Sequence, residues 1–230
     1  MMKYRISAGL VLLVAIAFSG CLQKNSTGGS ATPQFPSFVN FQGPASANTP
    51  VDLQNYVNAF NAHTGLAFSY LTFAQLQTPV VDGNTTTWTV TSGDLVATIK
   101  AVKDNDSADW TFKLNGTDQG GTVYDHWTLM SGTSSMDGKS GTMHIYDQKG
   151  EEIALFEWSE DSDGNKNAKL TVYGSPNSEY DLVNNSDHSG SIDVFSGSAK
   201  TYHAVWAANG SGSWEEYDSS GNVKDSGSWN

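Results

Sequence analysis

From Thr85 to its last residue, the chain alternates short strand-like runs with turn residues, at intervals of about ten residues. Runs such as TTTWTVT (85–91) and KTYHAVWA (200–207) are rich in β-branched and aromatic residues, and several runs alternate apolar with polar side chains. Between the runs lie pairs such as Asn115-Gly116, because tight turns need the positive φ that glycine adopts without strain. This pattern predicts about 11 or 12 strands joined mostly by short loops.

Consecutive strands joined by short loops pair with one another as an antiparallel meander. A flat sheet of this width would leave two long exposed edges, so we expect a strongly curled or closed sheet, as in a barrel or half-barrel. Residues 50–230 are enough for one hydrophobic core, and we expect them to form a single domain. The predicted fold class is mainly β.

An N-terminal helix is predicted ahead of the first strand, packed on the sheet. Thr49, Pro50 and Asp52 provide a start signal: a hydroxyl cap, a proline at the first helical position and an acidic residue three positions after the cap. Apolar residues then recur at helical spacing, which is typical of a helix that packs on a core. They are Leu53, Val57, Phe60, Ala67, Leu71 and Ala74.

Gly65 interrupts this apolar stripe, at a cost of about 1 kcal/mol relative to alanine, and Pro79 ends it. We therefore expect either one helix over residues 50–76 or two helices broken near residues 63–65. The alternatives differ in whether the helix tolerates a glycine in its interior.

The N-terminal residues have the parts of a bacterial export signal. Lys3 and Arg5 precede an uncharged apolar segment over residues 8–18, and the run FSGC ends at Cys21. This run resembles a bacterial lipobox, which implies that the chain is cleaved before Cys21 and that Cys21 is diacylated. With Leu22 after the cysteine, the resemblance predicts a lipid-anchored protein of the bacterial cell envelope, at the outer membrane and facing the periplasm or the surface.

Two alternatives stay open for this segment. Ordinary secretory cleavage of residues 1–20 would leave an unmodified cysteine, and a membrane-spanning helix would need about 20 apolar residues, more than the segment provides. After a lipidated Cys21, residues 21–49 form the expected flexible tether, because they are rich in proline and small polar residues. Apolar residues in the tether, such as Phe35, indicate that part of it lies against the domain or forms a first edge strand.

The charge of the chain excludes several kinds of partner. Arg5 is the only arginine, so the chain beyond residue 20 has ten lysines against 24 acidic residues. Arginine is the preferred partner of phosphate and carboxylate groups, and a chain this acidic is unsuited to nucleic acids, phosphorylated ligands or anionic headgroups. Cys21 is the only cysteine, which leaves no disulfide and no cysteine-based metal site.

No metal or other cofactor is predicted. His126, His144 and His203 lie in separate strands, and nothing in their spacing requires them to converge on zinc. Two acidic loops, over residues 104–109 and 160–165, suggest calcium, but the second lacks the glutamate that an EF-hand loop needs at its twelfth position. Hairpin tips rich in Asp and Asn are the simpler interpretation.

No catalytic residues are predicted, and we expect no enzyme. The chain has no nucleophile elbow and no glycine-rich phosphate loop followed by a helix. Paired carboxylates such as Glu215 and Glu216 are neighbours on a strand, so they point to opposite faces of a sheet. Such a pair is poorly placed to share one acid–base site.

Aromatic residues are the remaining candidates for a binding site. In a closed barrel they would form the core, whereas in a wide or unclosed barrel they would line a cavity for an apolar ligand. The candidate ligand-binding residues are Trp88, Trp110, Trp127, Phe156, Trp158 and Trp206.

The order of lipobox, tether, N-terminal helix and β-meander resembles that of the Lol-type lipoprotein carriers and receptors. The resemblance implies a helix that covers an unclosed barrel holding acyl chains, although Lol-type carriers can regulate the cavity with an arginine that this chain lacks beyond residue 20. We therefore expect a lipid-anchored, non-catalytic envelope lipoprotein that binds a lipid or other apolar ligand in the concave face of its sheet. The alternative is a structural, adhesive or envelope-assembly lipoprotein with no small-molecule ligand.

Overall fold

The computed structural model describes residues 32–35, 43–44 and 46–230, without the side chains of residues 66–70. In this part of the chain one helix, α1 (Val51–Gln75), precedes thirteen strands. The strands are β1 (Val80–Asp82), β2 (Thr85–Ser92), β3 (Leu95–Asp104), β4 (Ser107–Thr117), β5 (Val123–Ser135), β6 (Ser140–Tyr146), β7 (Glu152–Glu160), β8 (Lys166–Val172), β9 (Ser178–Asn184), β10 (Gly190–Ser196), β11 (Ala199–Trp206), β12 (Gly212–Tyr217) and β13 (Val223–Trp229). The predicted mainly β fold with an N-terminal helix is confirmed.

All thirteen strands form one antiparallel meander in which each strand pairs with its neighbours in sequence. The first and last strands, β1 and β13, each pair with one strand only, so the sheet is open rather than closed. The strand count exceeds the predicted 11 or 12 because β1, which has only three residues, precedes the first alternating run. A strand this short carries too little alternation to be detected from sequence.

The register of the strands places large apolar side chains on one face of the sheet, called here the inner face. One row of paired residues runs across the strands from Trp110 through Met143, Phe156 and Leu170 to Tyr202, and all five are fully buried. Because residues along a strand alternate between faces, the same register directs polar and charged residues to the opposite, outer face.

The helix α1 is continuous, which decides between the two predicted alternatives. Its buried residues follow helical spacing and face the sheet. Among the side chains of α1 that the structure describes, they are Leu53, Val57, Phe60, Thr64, Leu71 and Ala74. Gly65 is accommodated inside the helix, and a methyl group added there would meet no described atom within 4 Å other than the helix's own backbone.

The start of α1 differs from the prediction. Pro50 occupies the N-cap position, and no side chain caps the helix. The Thr49 hydroxyl group instead lies within hydrogen-bond distance of the carbonyl oxygens of Pro44 and Ser46, at 3.3 and 2.7 Å. The predicted cap is wrong because this hydroxyl group donates to the turn before the helix, a local competition that Ser and Thr side chains commonly enter.

Six hairpin loops contain the same five-residue turn. In each turn the N–H of the first residue donates to the carbonyl oxygen of the fifth, and the N–H of the fourth donates to the carbonyl oxygen of the first. The turns begin at Asp118, Asp147, Asp161, Asn185, Ala207 and Asp218. The fourth residue always has a positive φ, and it is glycine in every turn except one, where His188 has a φ of 71°.

The pair Asn115-Gly116, predicted as a turn, lies inside β4 instead. The register with β5 shifts between Leu114 and Gly116, which marks a β-bulge, and Gly116 has a φ of 105°. A Cβ added at Gly116 would lie 1.9 Å from the carbonyl oxygen of Asp94. The turn prediction is wrong because a glycine with positive φ serves a bulge as well as a turn.

Part of the predicted tether lies against the domain. The ring centroid of Phe35 is 4.7 Å from that of Trp88 and 5.3 Å from that of Trp110. The described residues before α1 form no strand, so the first edge strand is β1. Cys21 and the predicted signal segment lie outside the described residues. Within the described chain, no helix has both the length and the apolar character needed to cross a membrane.

Candidate functional site

Five of the six candidate ligand-binding residues lie in the core. Trp88, Trp110, Phe156, Trp158 and Trp206 each expose at most 4% of their surface. The sixth, Trp127, is partly buried, and its ring stacks on that of Tyr124 with centroids 5.5 Å apart. Their role in binding a ligand stays a prediction.

The structure brings these aromatic residues together in separate groups. Trp88 and Trp110 stack with ring centroids 5.8 Å apart. Phe156 stacks with Trp158 and meets Phe60 of α1 edge-on, with centroid distances of 5.4 and 6.0 Å. Contacts of this kind stabilise a fold by about 0.5–1.5 kcal/mol each beyond the burial of area. At Phe156, α1 therefore packs against a ring that is already stacked on Trp158.

Four tryptophans donate a hydrogen bond to the turn of a neighbouring hairpin. The indole N–H groups of Trp127, Trp158, Trp206 and Trp229 donate to the carbonyl oxygens of Asp147, Gly138, His188 and Gly210. Three of these rings lie over a glycine of the preceding strand, and the pairs are Gly141 with Trp158, Gly190 with Trp206 and Gly212 with Trp229. The pattern was visible in the sequence as a glycine followed by a tryptophan 16 or 17 residues later.

The three strand histidines pair with carboxylates at separate places. The pairs are His126 with Asp125, His144 with Glu152 and His203 with Asp193, at 2.9, 2.8 and 2.7 Å. Among the residues that the structure describes, no group of three or more His, Cys, Asp and Glu side chains is arranged to hold a metal ion.

The acidic loop over residues 160–165 uses the carboxylate group of Asp161 to hold its own backbone. Asp161 Oδ1 accepts the N–H groups of Asp163 and Asn165, both at 2.9 Å. Hydrogen bonds from the side chain and backbone of Asn165 lower the pKa of Asp161. Asp218 forms the same turn, and its pKa is lowered mainly by the backbone N–H of Asn222. These carboxylates therefore stabilise hairpin turns, as the composition of the loops indicated.

A shallow furrow of about 580 Å³ crosses strands β6 to β9. On one side it is bordered by a row of paired residues, Ser140, Ser159, Asn167 and Val183. On the other side it is bordered by Thr142, Glu157, Lys169 and Asp181. The residues between the rows direct their side chains inward, so their backbone forms the floor. We call this feature the β6–β9 furrow, and it lies on the outer face.

The charged groups of the β6–β9 furrow influence one another. Lys169 Nζ lies 2.9 Å from Glu179 Oε1, and this hydrogen bond raises the pKa of Lys169. Burial raises the pKa of Asp181; the Lys169 charge opposes the rise, and the carboxylates of Glu179 and Asp193 add to it. Asp181 Oδ1 is buried and has no hydrogen-bond partner among the described residues. The furrow is therefore bordered by a paired cation and by a carboxylate whose Oδ1 atom is closed to the furrow space.

The sequence interpretation missed the β6–β9 furrow. A local signal existed, because Glu157, Lys169 and Asp181 each stand between two buried apolar residues of their strand. That alternation shows that the three side chains point outward, but only the register of β7, β8 and β9 makes them neighbours.

The fold and this site define a class of protein: an open antiparallel β-meander with a helix over its apolar face and a polar furrow on the opposite face. No protein-family model matches the chain, and no curated protein matches it significantly.

Proposed function

We propose that this chain is a lipid-anchored, non-catalytic lipoprotein of the bacterial cell envelope, whose β domain works through contacts on its outer face. In this proposal Cys21 carries the lipid at the outer membrane, and residues 21–49 tether the domain. Acyl chains rather than a basic surface provide the attachment, which fits the excess of acidic over basic residues.

The observation that carries the choice of the outer face is the burial of the inner face. Phe60, Phe156 and Tyr202 are fully buried where α1 meets the sheet. The ring centroids of Tyr56 and Tyr202 are 4.8 Å apart across the same contact. An acyl chain needs an apolar space of its own, and rings in contact leave none between them. This favours the structural or adhesive alternative over an apolar ligand in the concave face.

Lipid content tests this choice. We expect the full-length chain, purified gently and extracted with organic solvent, to yield no stoichiometric lipid beyond its own anchor in mass spectrometry. Val57 of α1 is buried, and Val57→Asp should lower the free energy of unfolding by several kcal/mol if the helix covers a filled core. A bound lipid that is lost in a folded Val57→Asp variant would contradict the proposal and support the apolar-ligand alternative.

Palmitate labelling tests the anchor. We expect Cys21→Ala to abolish labelling and to leave an uncleaved precursor, because the thiol is the only site for the thioether-linked lipid. Ser26→Ala, in the tether, should label and mature normally. Normal processing of Cys21→Ala would overturn the lipoprotein assignment.

A further inference from the structure

We propose that an apolar rim at the β1 edge of the sheet rests on the surface of a lipid bilayer. The rim consists of Phe73 and Leu76 at the C-terminal end of α1 and of Val80 and Val81 in β1. This inference rests on the proposed function, because the lipid on Cys21 is what holds the domain near a bilayer. An edge-on contact leaves the outer face free for the contacts that the proposed function assigns to it.

The four large apolar side chains of the rim are exposed within nine consecutive residues of the chain. Phe73, Leu76, Val80 and Val81 each expose more than half of their surface. Phe73 and Leu76 stand three positions apart at the end of the helix, so they are neighbours on its surface. Val80 and Val81 follow on β1, which is an edge strand and pairs with β2 only. Single exposed apolar residues need no explanation, but a cluster of this kind indicates an interaction site.

The rim lies in a stretch of the chain without charged residues. From Leu53 to Val81 the sequence contains no Asp, Glu, Lys or Arg, although the whole chain has 24 acidic residues. The next acidic residue, Asp82, follows the rim at the start of the β1–β2 turn. Anionic lipids repel carboxylates, which the outer face carries at Glu157 and Asp181. Burying a charge at the bilayer boundary is also costly, so the uncharged rim is better suited to approach a membrane than the outer face is.

The predicted tether meets the domain beside the rim. Val81 pairs with Thr86, and Trp88 lies two residues further along the same face of β2. Diagonal neighbours of this kind are about 7–8 Å apart, and the Trp88 ring contacts Phe35 at a centroid distance of 4.7 Å. The described chain begins three residues before Phe35 and eleven residues after Cys21. Eleven residues span at most about 40 Å, so a lipid on Cys21 keeps this edge of the sheet close to the bilayer.

A second copy of the chain is the other partner that an exposed strand edge admits. However, β1 offers a second copy only three residues for pairing. A fully buried aromatic residue contributes about 150–250 Å², so four partly exposed residues, three of them smaller, supply less than the roughly 800 Å² that each partner of a standard interface buries. A bilayer requires no such area, because the acyl chains on Cys21 already provide the attachment. The observations therefore favour the bilayer.

The test places a nitroxide label at the rim and measures its depth in a membrane. Cys21 is the only cysteine and carries lipid under the proposed function, so Val80→Cys introduces the one thiol that can be labelled. The labelled full-length chain is reconstituted in vesicles of phosphatidylethanolamine and phosphatidylglycerol. Power saturation then compares the access of oxygen with that of a water-soluble nickel chelate. We expect the nitroxide to lie about 5–10 Å into the boundary between headgroups and acyl chains.

Val223→Cys is the matched control. Val223 is also an exposed valine, and it lies on β13, at the opposite edge of the same sheet. A nitroxide at position 223 should therefore stay fully accessible to the nickel chelate.

Leu76→Glu provides a second variant, because it places a charge in the rim at an exposed position. It should move the nitroxide at position 80 into water while the circular dichroism spectrum is retained. Val205→Glu places the same charge at an exposed position of β11, outside the rim, and should leave the depth of the nitroxide unchanged.

Each contrary result has a distinct meaning. If the chain floats with the vesicles but positions 80 and 223 are equally accessible to the nickel chelate, the inference is overturned and the lipoprotein assignment stands. Spin–spin broadening at position 80 that disappears on dilution with unlabelled chain would also overturn it, in favour of a second copy. A chain that neither incorporates palmitate nor floats with the vesicles would overturn the proposed function, and this inference with it.

Discussion

Gly190 begins β10 at a place where the structure leaves no room for a side chain. A Cβ added there would lie 2.4 Å from the carbonyl oxygen of Val183 and 2.5 Å from Cζ2 of Trp206. Overpacking of a tight site costs about 1–3 kcal/mol, and the entropy that alanine removes from the unfolded chain offsets up to about 1 kcal/mol of this. We therefore expect Gly190→Ala to lower the free energy of unfolding by about 2 kcal/mol.

The same substitution in α1 is the matched control. Gly65 lies in the interior of a helix, and apart from the helix's own backbone no described atom lies within 4 Å of an added Cβ. Alanine is favoured over glycine in a helix by about 1 kcal/mol, so Gly65→Ala should raise the free energy of unfolding by about that amount. The same glycine-to-alanine substitution is thus expected to lower the free energy of unfolding at Gly190 and to raise it at Gly65.

Urea unfolding followed by circular dichroism and tryptophan fluorescence measures both variants. We expect the urea concentration at the midpoint to fall for Gly190→Ala and to rise for Gly65→Ala. The slope of the free energy of unfolding against urea concentration should stay unchanged. Gly141→Ala and Gly212→Ala repeat the test, because their added Cβ atoms would also lie 2.4 Å from a tryptophan ring. A Gly190→Ala variant as stable as the parent would refute the argument that the Trp206 ring packs so closely over Gly190 that no side chain fits there.

Phe156→Ala should lower the free energy of unfolding by about 3–5 kcal/mol in urea, because Phe156 is fully buried against α1; a loss below about 1 kcal/mol would show that the helix does not depend on this residue. His188→Gly should raise it by about 1 kcal/mol, since His188 is exposed and has a φ of 71°, and a less stable variant would contradict this reasoning. Hydrogen bonds lower the pKa of Asp161, so the ionised carboxylate stabilises the fold at a pH above the pKa of the unfolded state, and this stabilisation is lost as pH falls through the pKa of the folded state. Asp161→Asn should therefore reduce the fall of the urea midpoint below about pH 4. Burial raises the pKa of Asp181, so its ionisation destabilises the fold as pH rises; Asp181→Asn should raise the urea midpoint at about pH 7 but not at about pH 3, and equal effects at both would argue against a charge effect.

The meander could be predicted from the sequence because its signals are local. A glycine at the fourth position of a turn and alternating residues on each side are contained within one hairpin. The same locality caused the errors, since a glycine with positive φ does not distinguish the bulge at Gly116 from a turn. Likewise, the Thr49 hydroxyl group has a local acceptor in Ser46 that the capping pattern does not reveal.

The candidate site could be predicted only in part. The aromatic residues were recognised as a group, but whether they line a space or fill one depends on how α1 and the sheet approach each other. Phe60 and Phe156 are far apart in the chain, but their ring centroids lie 6.0 Å apart, so at this contact the two rings fill the space between α1 and the sheet. The periodicity of the sequence does not predict the distance between these two rings.

Apart from the three-residue β1 and the continuity of α1, the sequence by itself determined the elements of this protein, their order, and which side of each strand is apolar. These properties arise from interactions among residues a few positions apart. The tertiary structure decided that the sheet stays open, that the aromatic rings are buried together, and that Glu157, Lys169 and Asp181 border one furrow. These outcomes depend on the register between strands, which is fixed when the whole inner face is buried at once, since a shift of one residue would turn each apolar side chain toward water.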